Sequence, residues 1–165
     1  MSRQQFRLDQ PRPNDMVGDP VLLAGSGGGF EATISIRVLD ANGVVVADTF
    51  TMARNLTSPW QAQVPLPGAL TTSRGVVEVG PSTGADEAPA RVSVPVFFGT
   101  RIVAGFGSWF LHVVQQGETL SGIAADAGPL YIGSGWQPIY EANADIVADP
   151  NLIHPGQVLR IPADF

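Results

Sequence analysis

Hydrophobic and polar positions alternate strictly through residues 32–38, with Ala32, Ile34, Ile36 and Val38 on one side and Thr33, Ser35 and Arg37 on the other. Successive side chains of a strand point to opposite faces, so the pattern predicts a strand with one buried and one wet face. Asp40-Ala41-Asn42-Gly43 follows, and then Val44-Val45-Val46. Asn-Gly tolerates the positive φ angles of a tight hairpin, so a paired return strand is expected. Further strands are expected at residues 21–23, 49–53, 61–65, 76–79 and 92–98, separated by Gly, Pro, Ser and Asp clusters. Seven short strands imply an all-β sandwich over residues 18–99, preceded by an N-terminal arm at 1–17.

After Phe98 the period changes. Residues 112–115 read as a short strand, and Leu120, Ile123, Ala124 and Ala127 fall on one face of a helix that Gly128-Pro129 stops. Thr119 stands where a helix N-cap is wanted, its hydroxyl placed to take an otherwise unpaired N–H. Trp136, Ile139, Tyr140 and Asn143 repeat the spacing and predict a second helix. A loop at 149–156 and a closing strand at 158–162 complete a small α+β (βααβ) domain over 112–165. Between the two domains, residues 100–111 form a connector carrying Ile102, Val103, Phe106, Trp109, Phe110 and Leu111. That is too apolar for a flexible linker, since each large side chain gains about 1.5–3 kcal/mol on full burial. It is expected to continue the sandwich, to pack between domains or to mediate self-association.

Composition removes several functions. With no cysteine there is no disulfide framework, thiolate metal site or cysteine nucleophile. The two histidines, His112 and His154, lie in no nucleophile or metal signature, and a fifty-residue module offers no deep cleft in which to desolvate paired carboxylates. No enzymatic activity, cofactor or metal is expected. The net charge is −6, and the part from His112 onward sets six acidic residues against Arg160 alone, so phosphate backbones would be repelled and nucleic acid is not an expected partner. The opening thirteen residues lack the apolar core of a secretory signal, which gives the expectation of a cytoplasmic protein or a part of an assembly unless a non-classical route exports it. The apolar stretch 92–114 is interrupted by Pro95, Gly99, Gly105 and Gly107, so no membrane span is expected.

Two resemblances sharpen this picture. Asp19-Pro20-Val21, Gly29-Phe30-Glu31-Ala32, the strand at 33–39, Asp40-Ala41-Asn42-Gly43, Pro59-Trp60, Gly75-Val76-Val77-Glu78-Val79, Ser82 and Val94-Pro95-Val96 together resemble the immunoglobulin-like domain first noted in bacterial spore-germination proteins. That family implies a spacer or protein-contact role. It usually follows its serine with a short Asp-Gly turn, whereas here Ser82-Thr83-Gly84-Ala85-Asp86 is rearranged. His112, Val114, Gly117-Glu118-Thr119-Leu120, Ile123-Ala124, Ile139, Ala142-Asn143, Asp149-Pro150, Ile153, Pro155-Gly156-Gln157 and Leu159-Arg160-Ile161-Pro162 resemble, in order, the lysin-motif (LysM) domain. Two positions depart from its pattern: His112 replaces the usual aromatic and Glu118 the usual Asp.

The LysM resemblance implies a non-catalytic module for N-acetylglucosamine-containing glycan such as peptidoglycan. Carried over by motif, the groove would be lined by Gly117, Glu118, Thr119 and Leu120 on one side and by Pro150, Asn151, Leu152, Ile153 and His154 on the other. Turn backbone can hydrogen-bond the sugar amide and hydroxyls, while Leu and Ile meet its apolar faces. Several of these residues have structural duties as well: Thr119 as a helix cap, Leu120 and Ile153 as core, Gly117 as a turn. Asn143 reads as a helix-end hydrogen-bonder, and Trp136 and Tyr140 as core. Other uses of such a module are an adaptor or structural subunit of a larger assembly, as in phage-tail-like contractile machines, with protein held in the same groove, and a cytoplasmic ligand sensor.

Overall fold

The computed structural model describes residues 6–28, 30–68, 70–82 and 91–164. Gly29 and residues 83–86 of the rearranged loop, which carry part of the first resemblance, lie outside the described residues, as do residues 1–5 of the opening segment. The chain divides into two compact units, Met1–Phe97 and Phe98–Phe165.

Eight strands are described in the first part of the chain: β1 (Arg7–Gln10), β2 (Asp15–Val17), β3 (Val21–Ser26), β4 (Thr33–Asp40), β5 (Val45–Met52), β6 (Pro59–Val64), β7 (Arg74–Pro81) and β8 (Val92–Phe98). They form a three-stranded sheet in the order β1-β3-β6 and a five-stranded sheet in the order β2-β8-β7-β4-β5. The alternation read in β4 is realised in full: Ile34, Ile36 and Val38 are inaccessible to solvent. Val77 and Val79 of β7 and Val94 and Val96 of β8 bury their alternate positions in the same sheet, as do Val21, Leu23, Trp60 and Val64 in the other. The inward faces of the two sheets supply the core of a β-sandwich.

Three local features differ from expectation. Residues 7–17, read as an arm, contribute β1, paired antiparallel with β3, and β2, an edge strand of the larger sheet. Such short strands carry too few apolar positions to show a period of two. Val45 and Val46 of the expected return strand and residues 49–52 of the next are joined in the single strand β5, because Ala47 and Asp48 do not interrupt pairing with β4 at an exposed sheet edge. The hairpin between them is wider than two residues. Only Gly43 of the Asn-Gly pair takes positive φ (79°), and the Asp40 carboxylate accepts from the backbone N–H groups of Asn42 (2.8 Å) and Val44 (2.9 Å).

The second unit contains α1 (Gly99–Ile102), β9 (Ser108–Val113), α2 (Leu120–Asp126), a 3-10 turn at Gly128–Leu130, α3 (Gln137–Ala142) and β10 (Val158–Ala163). β9 and β10 pair antiparallel, with Val113 opposite Val158 and Ser108 opposite Ala163. The strand thus takes up residues 108–111 of the apolar connector, and Phe110 packs against the core of this unit while Leu111 stays exposed. That core is Val114, Leu120, Ile123, Tyr131, Ile139, Val147, Leu159 and Ile161.

Helices of six and seven residues are too short to hold themselves in water, so tertiary contacts must fix them. Asn143, fully buried at the end of α3, does this for α3 and β10: its amide donates to the carbonyls of Ile139 (2.7 Å) and Arg160 (2.9 Å), and its side-chain oxygen accepts from the Arg160 N–H (2.8 Å). The Arg160 guanidinium in turn donates to both Asp145 oxygens at 2.8 and 3.1 Å. No helix among the described residues is long and apolar enough to cross a membrane.

Candidate functional site

Val114 ties together the two segments in which site residues are expected. Its N–H donates to the Gln157 carbonyl (2.9 Å) and its carbonyl accepts from Gly156 (2.8 Å), so the turn leaving β9 and the loop entering β10 share one base.

On the first side, Gly117 takes a φ of 85°, a left-handed conformation that a side chain disfavours, and this reverses the chain toward α2. Thr119 is the N-cap of α2, its hydroxyl accepting from the Gly122 N–H at 3.1 Å. Glu118 is fixed on the same turn: one carboxylate oxygen accepts from the Gln115 N–H (2.7 Å) and lies 2.8 Å from His112 Nε2. The Gln115 N–H, and after it the His112 ring, hold the Glu118 carboxyl below the usual carboxylate range. The two departures from the LysM pattern are therefore one feature, an acid and the imidazole that partners it.

On the second side, Asp149 Oδ1 accepts from the Asn151 backbone (2.9 Å) and amide (3.2 Å), and Leu152 N–H closes the turn onto the Asp149 carbonyl (3.0 Å). The Gln157 side chain accepts from the His154 N–H at 2.8 Å. None of the described residues pairs with the backbone N–H or carbonyl of Ile153.

These segments enclose a cleft of about 290 Å³ lined by Glu118, Thr119, Leu120, Ser121, Trp136, Pro150, Asn151 and Ile153. Six of the nine expected residues are brought together there. Gly117, Leu152 and His154 are exposed beside the cleft and do not line it. Leu120, 2% exposed, presents an edge of the core, and Ile153 is half-buried against the same core. Ser121 and Trp136 are additions. Ser121 follows from the helix start, one position past Leu120, but the i, i+3, i+4 spacing that marks Trp136 as core cannot reveal that its indole both packs on the core and faces the cleft.

Chemically the cleft offers a carboxylate, hydroxyls, an amide and unpaired loop backbone beside Leu, Ile and Trp surfaces. Among the described residues, no three His, Asp or Glu side chains cluster as a metal site requires.

Fold and site together define a two-domain, mostly β chain: an immunoglobulin-like sandwich followed by a small α+β module with a shallow cleft. Residues 6–86 match the family model for the immunoglobulin-like domain of bacterial spore germination, and residues 112–162 match that for the LysM domain. The chain carries these two domains in this order. Both are of types that typically do not catalyse, and LysM domains usually bind peptidoglycan. Among solved structures the chain is similar to the crystal structure of CopC from Methylosinus trichosporium OB3b, at 18% identity and a TM-score of 0.41, over 57% of this chain and 93% of that one. No curated protein matches the chain.

Proposed function

We propose that the chain is a non-catalytic binding protein whose LysM domain holds N-acetylglucosamine-containing glycan, peptidoglycan being the natural polymer of this kind, with the sandwich as spacer or protein-contact domain. The observation that carries this reading is the shared lining of the cleft. Glu118, Thr119, Leu120 and Ser121 on one side and Pro150, Asn151 and Ile153 on the other meet around one volume. An N-acetyl sugar needs donors and acceptors for its amide and hydroxyls together with apolar surface for its methyl and ring faces, and the cleft offers both. A site this small binds weakly alone, so useful affinity comes from a repetitive polymer or from several copies of the protein.

The test is co-sedimentation of the purified chain with insoluble peptidoglycan. Sedimentation that soluble N-acetylglucosamine oligomers reverse supports the reading. A protein that remains in the supernatant at both low and moderate salt refutes it, since screening removes repulsion of the acidic unit as an excuse.

One observation favours a second reading, in which the chain is an adaptor or structural subunit of an assembly. Phe50 and Met52, 66% and 61% exposed, stand on β5 at the edge of the larger sheet, where a protein partner could cover them. The sedimentation experiment separates the two, because that reading requires no glycan.

A further inference from the structure

A second concavity, of about 340 Å³, adjoins the cleft and shares Ser121 and Trp136 with it; Ala124, Ala125, Tyr131 and Gly133 are among its other walls. Neither lobe is roomy alone. Ligand pockets span about 300–1,000 Å³; 290 Å³ falls just below that range and 340 Å³ at its bottom, whereas the two joined fall well inside it.

The shared wall is held firmly. Trp136 packs on the core and meets the Tyr140 ring edge-on, with centroids 6.0 Å apart, and the Tyr140 hydroxyl donates to the Ala148 carbonyl at 3.1 Å. A fixed indole offers apolar surface to a sugar ring with little entropy left to lose. The second lobe is shaped by a loop laid across Tyr131. The Tyr131 hydroxyl donates to the Gly135 carbonyl at 2.7 Å, and a Cβ at residue 133 would overlap the Tyr131 hydroxyl, so a side chain there would displace the loop or the Tyr131 ring. Burial pushes the Tyr131 hydroxyl up to about 12, which keeps it neutral. The residues lining this lobe carry no charge, whereas the first lobe contains Glu118. An uncharged lobe built of Ala, Gly and aromatic surface suits acetyl methyl groups and sugar rings, and gives nothing to a peptide carboxylate or an anionic polymer.

Resting on the glycan reading above, we infer that this lobe extends the cleft into one groove, so that a neutral oligomer of N-acetylated sugars continues past the first site and places rings on either side of Trp136.

The experiment is calorimetric titration of the full chain with N-acetylglucosamine oligomers of increasing length, from the dimer to the octamer, repeated with Ala125→Leu and Ala125→Glu. Ala125 is an exposed α2 position that lines the second lobe and not the first, and thermal melting of both variants checks the fold. Affinity should rise roughly tenfold, equivalent to about 1.4 kcal/mol, once the oligomer is long enough to pass Trp136. The Ala125 variants should bind the shortest ligand as the wild type does and lack that rise. An affinity independent of length, or the same rise in a folded Ala125 variant, overturns the second lobe while leaving the first site standing. Absence of binding at every length overturns both.

Discussion

The Thr119 hydroxyl is committed to the Gly122 N–H, and the Leu120 side chain is nearly all core, so the other hydroxyl lining the cleft, exposed at the start of α2, belongs to Ser121. This permits a clean separation of folding from binding. A carboxylate in the first turn of a helix is favoured by the helix dipole by about 0.3–1 kcal/mol, so Ser121→Asp should melt no lower than the wild type. It should nonetheless lower affinity for N-acetylglucosamine oligomers by more than about tenfold, having put a second charge beside Glu118 in the cleft. Leu152→Asp is the control: Leu152 is 58% exposed and outside the lining, and should change affinity by less than about threefold. If Leu152→Asp is as damaging as Ser121→Asp, the loop apex and not the cleft holds the ligand. At this scale the sequence was legible where a residue has one duty. Thr119 as cap and Asn143 as helix-end hydrogen-bonder are readable from position. The His112–Glu118 pair was not, because contact between a strand end and a turn six residues on depends on how the chain reverses at Gly117.

Elements were legible in proportion to their periodicity. β4 and β7 alternate cleanly and were anticipated, while β1 and β2 exist because an edge accepts them and leave little trace in their own residues. The short helices of the LysM domain were anticipated from their apolar faces, but their stability rests on polar ties between elements. Asn143 makes three hydrogen bonds with no solvent to replace them, two that join α3 to Arg160 of β10 and one to the Ile139 carbonyl within α3. Asn143→Ala should therefore cost about 2–4 kcal/mol, from the loss of three hydrogen bonds at a fully buried position. Urea unfolding followed by the fluorescence of Trp136 and Trp109 would read this; a loss under about 1 kcal/mol would mean that packing alone holds the two elements together.

For the molecule as a whole, charge decides which ligand gives the cleanest test. The residues from His112 onward carry −5, which opposes close approach of anionic polymers without weakening contact with uncharged N-acetyl sugars. A titration with neutral oligomers therefore tests the central claim without an electrostatic penalty. The most direct measurement is amide chemical-shift mapping of the isotopically labelled full chain during titration with an N-acetylglucosamine oligomer. The account predicts saturable shifts concentrated at Glu118, Thr119, Leu120, Ser121, Trp136, Asn151 and Ile153, with residues 7–82 of the sandwich unmoved. No shifts at millimolar oligomer, or shifts confined to the sandwich, would contradict it.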